Sequence, residues 1–227
     1  MKLCGYSAYV PDGAAGELPL ICAIGENSEG IAAIAQSMHN PAVIVGIPVG
    51  DWNGDLTPWP APPLGKGSDF TGLAESTLER LNALLPQLVE QAEDLRLTIG
   101  ARIILGYSLG GLFALWAATR CSCFDGAASV SGSMWYDGFE EYILAHPVQA
   151  RAVYLSLGDT EPRARNRRLA RVGESTLAVA DIVKASGIKS VFEWNRGNHF
   201  ADPPMRCARG ADWLCENLLC LKQPHMR

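Results

Sequence analysis

The sequence predicts an α/β fold, a mostly parallel central sheet with helices on both of its faces. Six apolar runs with strand character recur along the 227 residues, and segments of helical period separate them. Several of these runs are apolar along their whole length, as strands buried on both faces must be. A chain of this length fits one large domain, expected to span 1–227. No internal repeat, low-complexity tract or linker divides it.

The elements follow in order. The opening KLCGYSAYV alternates loosely and suggests an added edge strand. LPLICAIG (18–25) and PAVIVGIP (41–48) are apolar strands flanking a helical segment, EGIAAIAQSMH (29–39). The stretch VGDWNGDLTPWPAPPLGKGSD (49–69) is rich in Gly, Pro and Trp and too long for a plain connection, so a functional loop is expected there. ESTLERLNALLPQLVEQAEDL (75–95) has helical period, with Pro86 expected to kink or divide it. ARIILGY (101–107) leads into the helix LGGLFALWAATR (109–120). GAASVSGS (126–133) and AVYLSLG (152–158) are the next strands. NRRLARVGESTLAVADIVKASG (166–187) is helical, with a break expected near Gly173. KSVFEWN (189–195) is the last strand, and PPMRCARGADWLCENLLCL (203–221) closes the chain as a helix.

Composition excludes some classes of function. Hydrophobic residues make up 48% and charged residues 19%, ordinary for a protein with a sizeable core. A net charge of −5 argues against nucleic acid as a partner. The N-terminal segment lacks the apolar core of a signal peptide, and no run of 18 apolar residues exists to span a membrane. The cytoplasm is therefore the expected compartment, with no membrane partner; oligomeric state is not legible. Most of the seven cysteines sit inside apolar segments, where cysteine acts as a small hydrophobe, and reduced thiols are expected. Cys121-Ser-Cys123 has neither a second pair nor a nearby histidine, so no metal site is expected.

Residues 106–110 read G-Y-S-L-G, directly between an apolar strand and an amphipathic helix. That is the context a nucleophile elbow demands. Ser108 would hold a strained backbone conformation on the turn, while Gly106 and Gly110 leave space for strand and helix to approach. The helix N-terminus aims free N–H groups at a developing oxyanion, Leu109 N–H being one donor.

An unactivated serine is a weak nucleophile and needs a base. Downstream of Ser108 lie His146, His199 and His225. His225 is close to the chain end, and His146 precedes the strand after which the acid should come. His199, in R-G-N-H-F after the last strand, stands where the order serine, acid, histidine puts the base. For the acid, the loop after AVYLSLG reads G-D-T-E-P, so Asp159 and Glu161 both qualify. The longer reach of Glu161 favours it, and Asp137 would serve in a variant arrangement. A carboxylate here orients the imidazole and stabilises its charged form.

GYSLGGLFALW, S-G-S-M-W (131–135), SLGDTE, GNHF and D-L-T-P-W (55–59) together resemble the putative-esterase branch of the α/β-hydrolases, which includes esterase D, enterochelin esterase and feruloyl esterase relatives. The resemblance runs from about residue 18 to 215. It implies the α/β-hydrolase fold, Ser108 as nucleophile, Leu109 as an oxyanion donor, His199 as base and Glu161 as acid, although some relatives use a Ser–His dyad. It also implies that Ser131, Ser133 and Trp135 lie beside the nucleophile. The second oxyanion N–H is implied in the loop A-I-G-E-N-S, on Glu26 or Asn27, where Gly25-Glu26 replaces the usual D-G.

Only some twenty residues separate the fourth and fifth parallel strands, so no large cap domain is expected and the site should be an open cleft. Trp52, Trp59 and Trp135 are candidates to line it, the alternative being that they pin loops by packing. Five arginines fall between Arg163 and Arg171. Arg163 and Arg165, nearest the cleft, are candidates to meet an acidic group on a substrate, against the plainer role of a solvated helix face. The expected activity is hydrolysis of a small-molecule carboxylic ester with no cofactor. An acyltransferase using the same residues, or a non-catalytic binding protein of the same fold, are the alternatives.

Overall fold

The computed structural model describes residues 1–14, 16–65, 67 and 69–219. Among the described residues, ten strands and eight α-helices follow one another. They are β1 (Lys2–Leu3), β2 (Tyr6–Tyr9), β3 (Gly16–Ile24), α1 (Ser28–Ser37), β4 (Val43–Ile47), α2 (Trp52–Asp55), β5 (Pro60–Ala61), β6 (Phe70–Thr71) and α3 (Ala74–Asp94). After them come β7 (Leu97–Tyr107), α4 (Leu109–Arg120), β8 (Gly126–Val130), α5 (Phe139–Ala145), β9 (Ala152–Gly158), α6 (Arg167–Ala170), α7 (Val172–Ala185), β10 (Lys189–Asn195) and α8 (Pro203–Leu219).

Eight strands form one sheet in the order β1-β2-β4-β3-β7-β8-β9-β10. The six strands from β4 to β10 in that order pair in parallel, and β1 and β2 add an antiparallel hairpin at one edge. The loose alternation of KLCGYSAYV therefore marks two short strands in place of one. Side chains alternate across β3, and the core divides accordingly. Leu20, Cys22 and Ile24 join the layer holding α3, α4 and α7, while Ile21 and Ala23 join the layer holding α1 and α8.

Pro86 does not divide the long helix: α3 is one 21-residue element. Pro86 lies on its exposed side, and the buried stripe Leu78, Leu81, Leu85, Leu88 and Ala92 anchors the helix on both sides of it. The break expected near Gly173 falls at Arg171, between α6 and α7. Gly173 instead permits packing, since a Cβ there would stand 2.7 Å from the Pro162 ring. The segment 49–69 carries the short helix α2, capped by Asp51 accepting from Asn53 N–H, and the first strand of the β5–β6 ribbon.

The expectation of reduced thiols fails at one place. Cys121 and Cys123, partly exposed after the end of α4, are joined in a disulfide. Their Cα atoms stand 5.3 Å apart, within bridging distance, and neither is sealed in the core as Cys22, Cys207 and Cys215 are. Among the described residues, no cluster of His, Cys, Asp and Glu could hold a metal ion, and no helix is long and apolar enough to cross a membrane.

Candidate active site

Ser108 is the single residue between β7 and α4, and its backbone takes φ +59° and ψ −122°. Such a conformation costs on the order of 1–3 kcal/mol and persists only where the surroundings enforce it. Here they do. Ser108 N–H donates to Val130 carbonyl at 3.1 Å, and the Ser108 carbonyl accepts from Gly111, Leu112 and Ser133 N–H groups at 3.0–3.1 Å. Gly106 has no room for a side chain, because a Cβ there would overlap the Gly110 carbonyl. Leu109 is the first residue of α4, so its N–H belongs to the unpartnered first turn that faces the cleft.

His199 stands on the loop between β10 and α8. Its Nε2 lies 3.1 Å from Ser108 Oγ, and its Nδ1 lies 2.7 Å from Glu161 Oε2. A carboxylate acceptor on the Nδ1 side puts the proton there and leaves Nε2 as the acceptor facing the serine. Tyr107 OH donates to the His199 carbonyl at 2.6 Å.

Glu161 opens a short 3-10 turn, Glu161–Arg163, after β9 and is 7% exposed. Its Oε1 accepts from Gly158 N–H at 2.7 Å and from Arg206 at 3.2 Å. Burial opposes ionisation of this carboxyl. Hydrogen bonds from His199 and the Gly158 N–H, the nearby imidazole charge and a bond from Ser131 outweigh it, and the carboxyl sits below its ordinary value.

Asp159 performs a different task. Its Oδ1 accepts from Gly197 N–H at 2.8 Å and so ties the acid loop to the histidine loop. Asp137 is elsewhere, half-exposed and paired with Arg168 at 2.8 Å. His146 stacks on Tyr142, and His225 and Cys220 lie outside the described residues.

A cleft of about 590 Å³ opens over Ser108 and His199. Trp52, Trp135, Ser131, Ser133, Arg163 and Leu109 line it, together with Leu64, Phe70, Leu169, Val172 and Phe200. Trp59 does not. It packs among Tyr136, Phe139 and Tyr142 and donates from Nε1 to the Asp137 carbonyl, so it pins loops. Arg165 also stays outside the lining. Arg168 works from behind the wall, its guanidinium over the Trp135 and Phe70 rings and Nη1 donating to the Pro62 carbonyl. Glu26 and Asn27 are not among the lining residues; Glu26 N–H makes a long 3.4 Å bond to Ala23 carbonyl, and the Asn27 side chain caps α1.

Sequence reading missed Arg206. It is 2% exposed and contacts Tyr107, Ser131 and Glu161. A signal existed, because Arg206 shares a helical stripe with Gly210, Leu214 and Leu218, which are all buried. An arginine on a buried stripe needs a partner.

The family model described as "Putative esterase" matches residues 23–198, most of the chain, taking in Ser108 and Glu161 and ending one residue before His199. The chain belongs to the esterase family. This esterase is 29% identical over 161 residues to the uncharacterized protein YbbA of Bacillus subtilis strain 168; the match covers 69% of this chain and spans 64% of that relative's length. Solved structures with the same fold include an IroE-like serine hydrolase from Shewanella oneidensis (TM-score 0.73, 19% identity, 92% of this chain and 75% of that one). Siderophore hydrolase EstA from Aspergillus nidulans is similar to the esterase at TM-score 0.69 and 19% identity, over 91% and 85% of the two chains. The enterobactin esterase FES from Shigella flexneri is similar at TM-score 0.62 and 19% identity, over 88% and 53%. The esterase therefore has the α/β-hydrolase fold.

Proposed function

We propose that this esterase cleaves a small-molecule carboxylic ester through an acyl-enzyme on Ser108. The observation that carries the reading is the unbroken chain of contacts from Ser108 Oγ to His199 Nε2 and from His199 Nδ1 to Glu161 Oε2, at 3.1 and 2.7 Å. In the first half-reaction Ser108 Oγ attacks the ester carbonyl as its proton passes to His199 Nε2. The negative charge on the tetrahedral oxygen is met by the Leu109 N–H, and the helix end favours that charge. His199 then protonates the departing alcohol oxygen. In the second half-reaction water gives its proton to His199 and attacks the acyl carbon, which releases the acid and returns the proton to Ser108 Oγ. Glu161 holds the imidazole in the productive tautomer and stabilises its charged form throughout.

The cleft supports a bulky, largely apolar ester. Trp52 and Trp135 supply apolar walls, and Arg163 stands ready at the lining for an acidic substituent. A siderophore hydrolase and an enterobactin esterase share the fold, which supports an ester as substrate.

The test is covalent. A fluorophosphonate probe is expected to label Ser108 in the folded protein, and a panel of p-nitrophenyl esters of rising acyl length to be hydrolysed by the wild type only, not by Ser108→Ala. An unlabelled, inactive wild type sinks the proposal. With an added acceptor alcohol, free acid is the expected main product; transfer product in excess would replace the hydrolase with an acyltransferase.

A further inference from the structure

One guanidinium reaches both the acid and the loop that carries the base. Arg206 lies in the first turns of α8, a helix whose apolar face (Cys207, Ala211, Leu214, Leu218) is sealed against the sheet. From that fixed base Nη1 donates to Ser131 Oγ at 3.0 Å, to Glu161 Oε1 at 3.2 Å and to Tyr107 OH at 3.3 Å. Nη2 donates to the carbonyls of Arg196 and Asn198, at 3.1 and 3.0 Å, on the two sides of Gly197 and immediately before His199. The surroundings are built to the group: a Cβ on Gly158 would stand 3.1 Å from Nη1.

From this geometry we infer that Arg206 is the positioning residue of the site, setting the distance between Glu161 and His199. The inference rests on the Ser108–His199–Glu161 reading above. Glu161 uses one oxygen for His199 and the other for Arg206, so rotation of the carboxylate that would shift one bond breaks the other. The two carbonyls on Nη2 fix the histidine loop to the same rigid body. The planar fork of an arginine makes both sets of bonds at once, which the single ammonium of a lysine does not. Arg206 touches neither Ser108 nor His199 side chains and is absent from the cleft lining, so its effect on turnover passes through the acid and the loop.

The experiment compares wild type, Arg206→Met, Arg206→Lys, Glu161→Gln and the double variant Glu161→Gln/Arg206→Met. The substrate is p-nitrophenyl butyrate, and rates are referred to the folded fraction measured by circular dichroism. Arg206→Met is expected to lower kcat about 10²-fold, the scale of a misplaced catalytic group, with KM held within about twofold. Arg206→Lys keeps the buried charge and is expected to lower kcat by about tenfold, and it carries the test where the Met variant does not fold. In the Glu161→Gln background the Met substitution should add less than about threefold, because the acid it positions is already gone. An Arg206→Met or Arg206→Lys protein with wild-type kcat per folded molecule would overturn the inference, as would losses that multiply in full in the double variant, the mark of a merely structural residue. Failure of the underlying reading is a separate result: wild type that fluorophosphonate does not label, or Glu161→Gln that turns over at the wild-type rate.

Discussion

The two sides of this site are held in place by different means. On the nucleophile side, backbone does the holding: Ser108 is fixed by main-chain bonds to Val130, Gly111, Leu112 and Ser133, and by a glycine at 106 that tolerates no side chain. On the acid–base side, side chains do it. Glu161 and His199 stand 38 residues apart, on loops tied together by Asp159 to Gly197 N–H and by Arg206, which bonds to four separate segments. A backbone-held group is specified by a few consecutive residues. A group held by side chains is specified only once distant segments have met.

Loss of either reacting group, the backbone-held nucleophile or the side-chain-held base, breaks the site hardest. Ser108→Ala and His199→Ala are each expected to lower kcat/KM about 10⁴-fold or more, measured with p-nitrophenyl butyrate. His199→Ala that hydrolyses the ester near the wild-type rate would refute the base. Gly106→Ala should do comparable damage without touching a reacting atom. Its methyl would enter the space of the Gly110 carbonyl, and the elbow must open to admit it. Soluble Gly106→Ala with normal labelling of Ser108 would show that the close approach is not required.

The acid side separates two carboxylates that position in the chain alone left open. Glu161→Gln is expected to cost about 10³–10⁴-fold in kcat, as loss of a triad acid does elsewhere. Asp159→Asn, which weakens a loop tie and leaves the imidazole its partner, is expected to cost about tenfold or less; the reverse ranking would exchange their roles. Acid stability sharpens the same point. The folded Glu161 carboxyl ionises below its ordinary value of 4.5. It therefore contributes stability that is fully present above that value and is lost as pH falls through the lower, folded one. Melting curves between pH 6 and about 3 should fall more steeply for wild type than for Glu161→Gln. Parallel curves would mean that the bonds to Gly158, His199 and Arg206 do not favour the ionised form.

This contrast also explains what the sequence made legible. The strand–turn–helix around Ser108 is contiguous, so its residue types announce its shape, and β9 and β10 run over the residues their apolar patterns mark. His199 stands out by elimination, because only one histidine falls between the last strand and the closing helix. Asp159 and Glu161 sit two residues apart on one loop, and the choice between them depends on Arg206 and the histidine loop, which arrive from elsewhere. Arg206 itself reads as one more polar residue in a helix until β7, β9 and α8 are packed. Pro86 failed as a breaker for a related reason, since the packing that anchors α3 on both sides of it is tertiary. The pairing of Cys121 with Cys123 was missed because C-x-C was weighed as a metal motif and set aside.

The smallest expected effect on turnover concerns two tryptophans that the sequence could not tell apart. Trp52 is 41% exposed, lines the cleft and packs over Gly25, where a Cβ would stand 2.5 Å from its ring. Trp59 is half-buried in an aromatic cluster away from the lining, with its Nε1 bonded to the Asp137 carbonyl. Trp52→Ala is therefore expected to raise KM for a long-chain p-nitrophenyl ester by about three- to tenfold, the scale of a lost apolar contact, with little change in melting temperature. Trp59→Ala is expected to leave KM unchanged and to lower stability by about 2 kcal/mol, less than a fully buried aromatic because it is only half-buried. The two substitutions thus read out different things on one protein, KM on one side and the unfolding midpoint on the other. If Trp59→Ala raises KM as much as Trp52→Ala does, the loops it pins form part of the substrate wall.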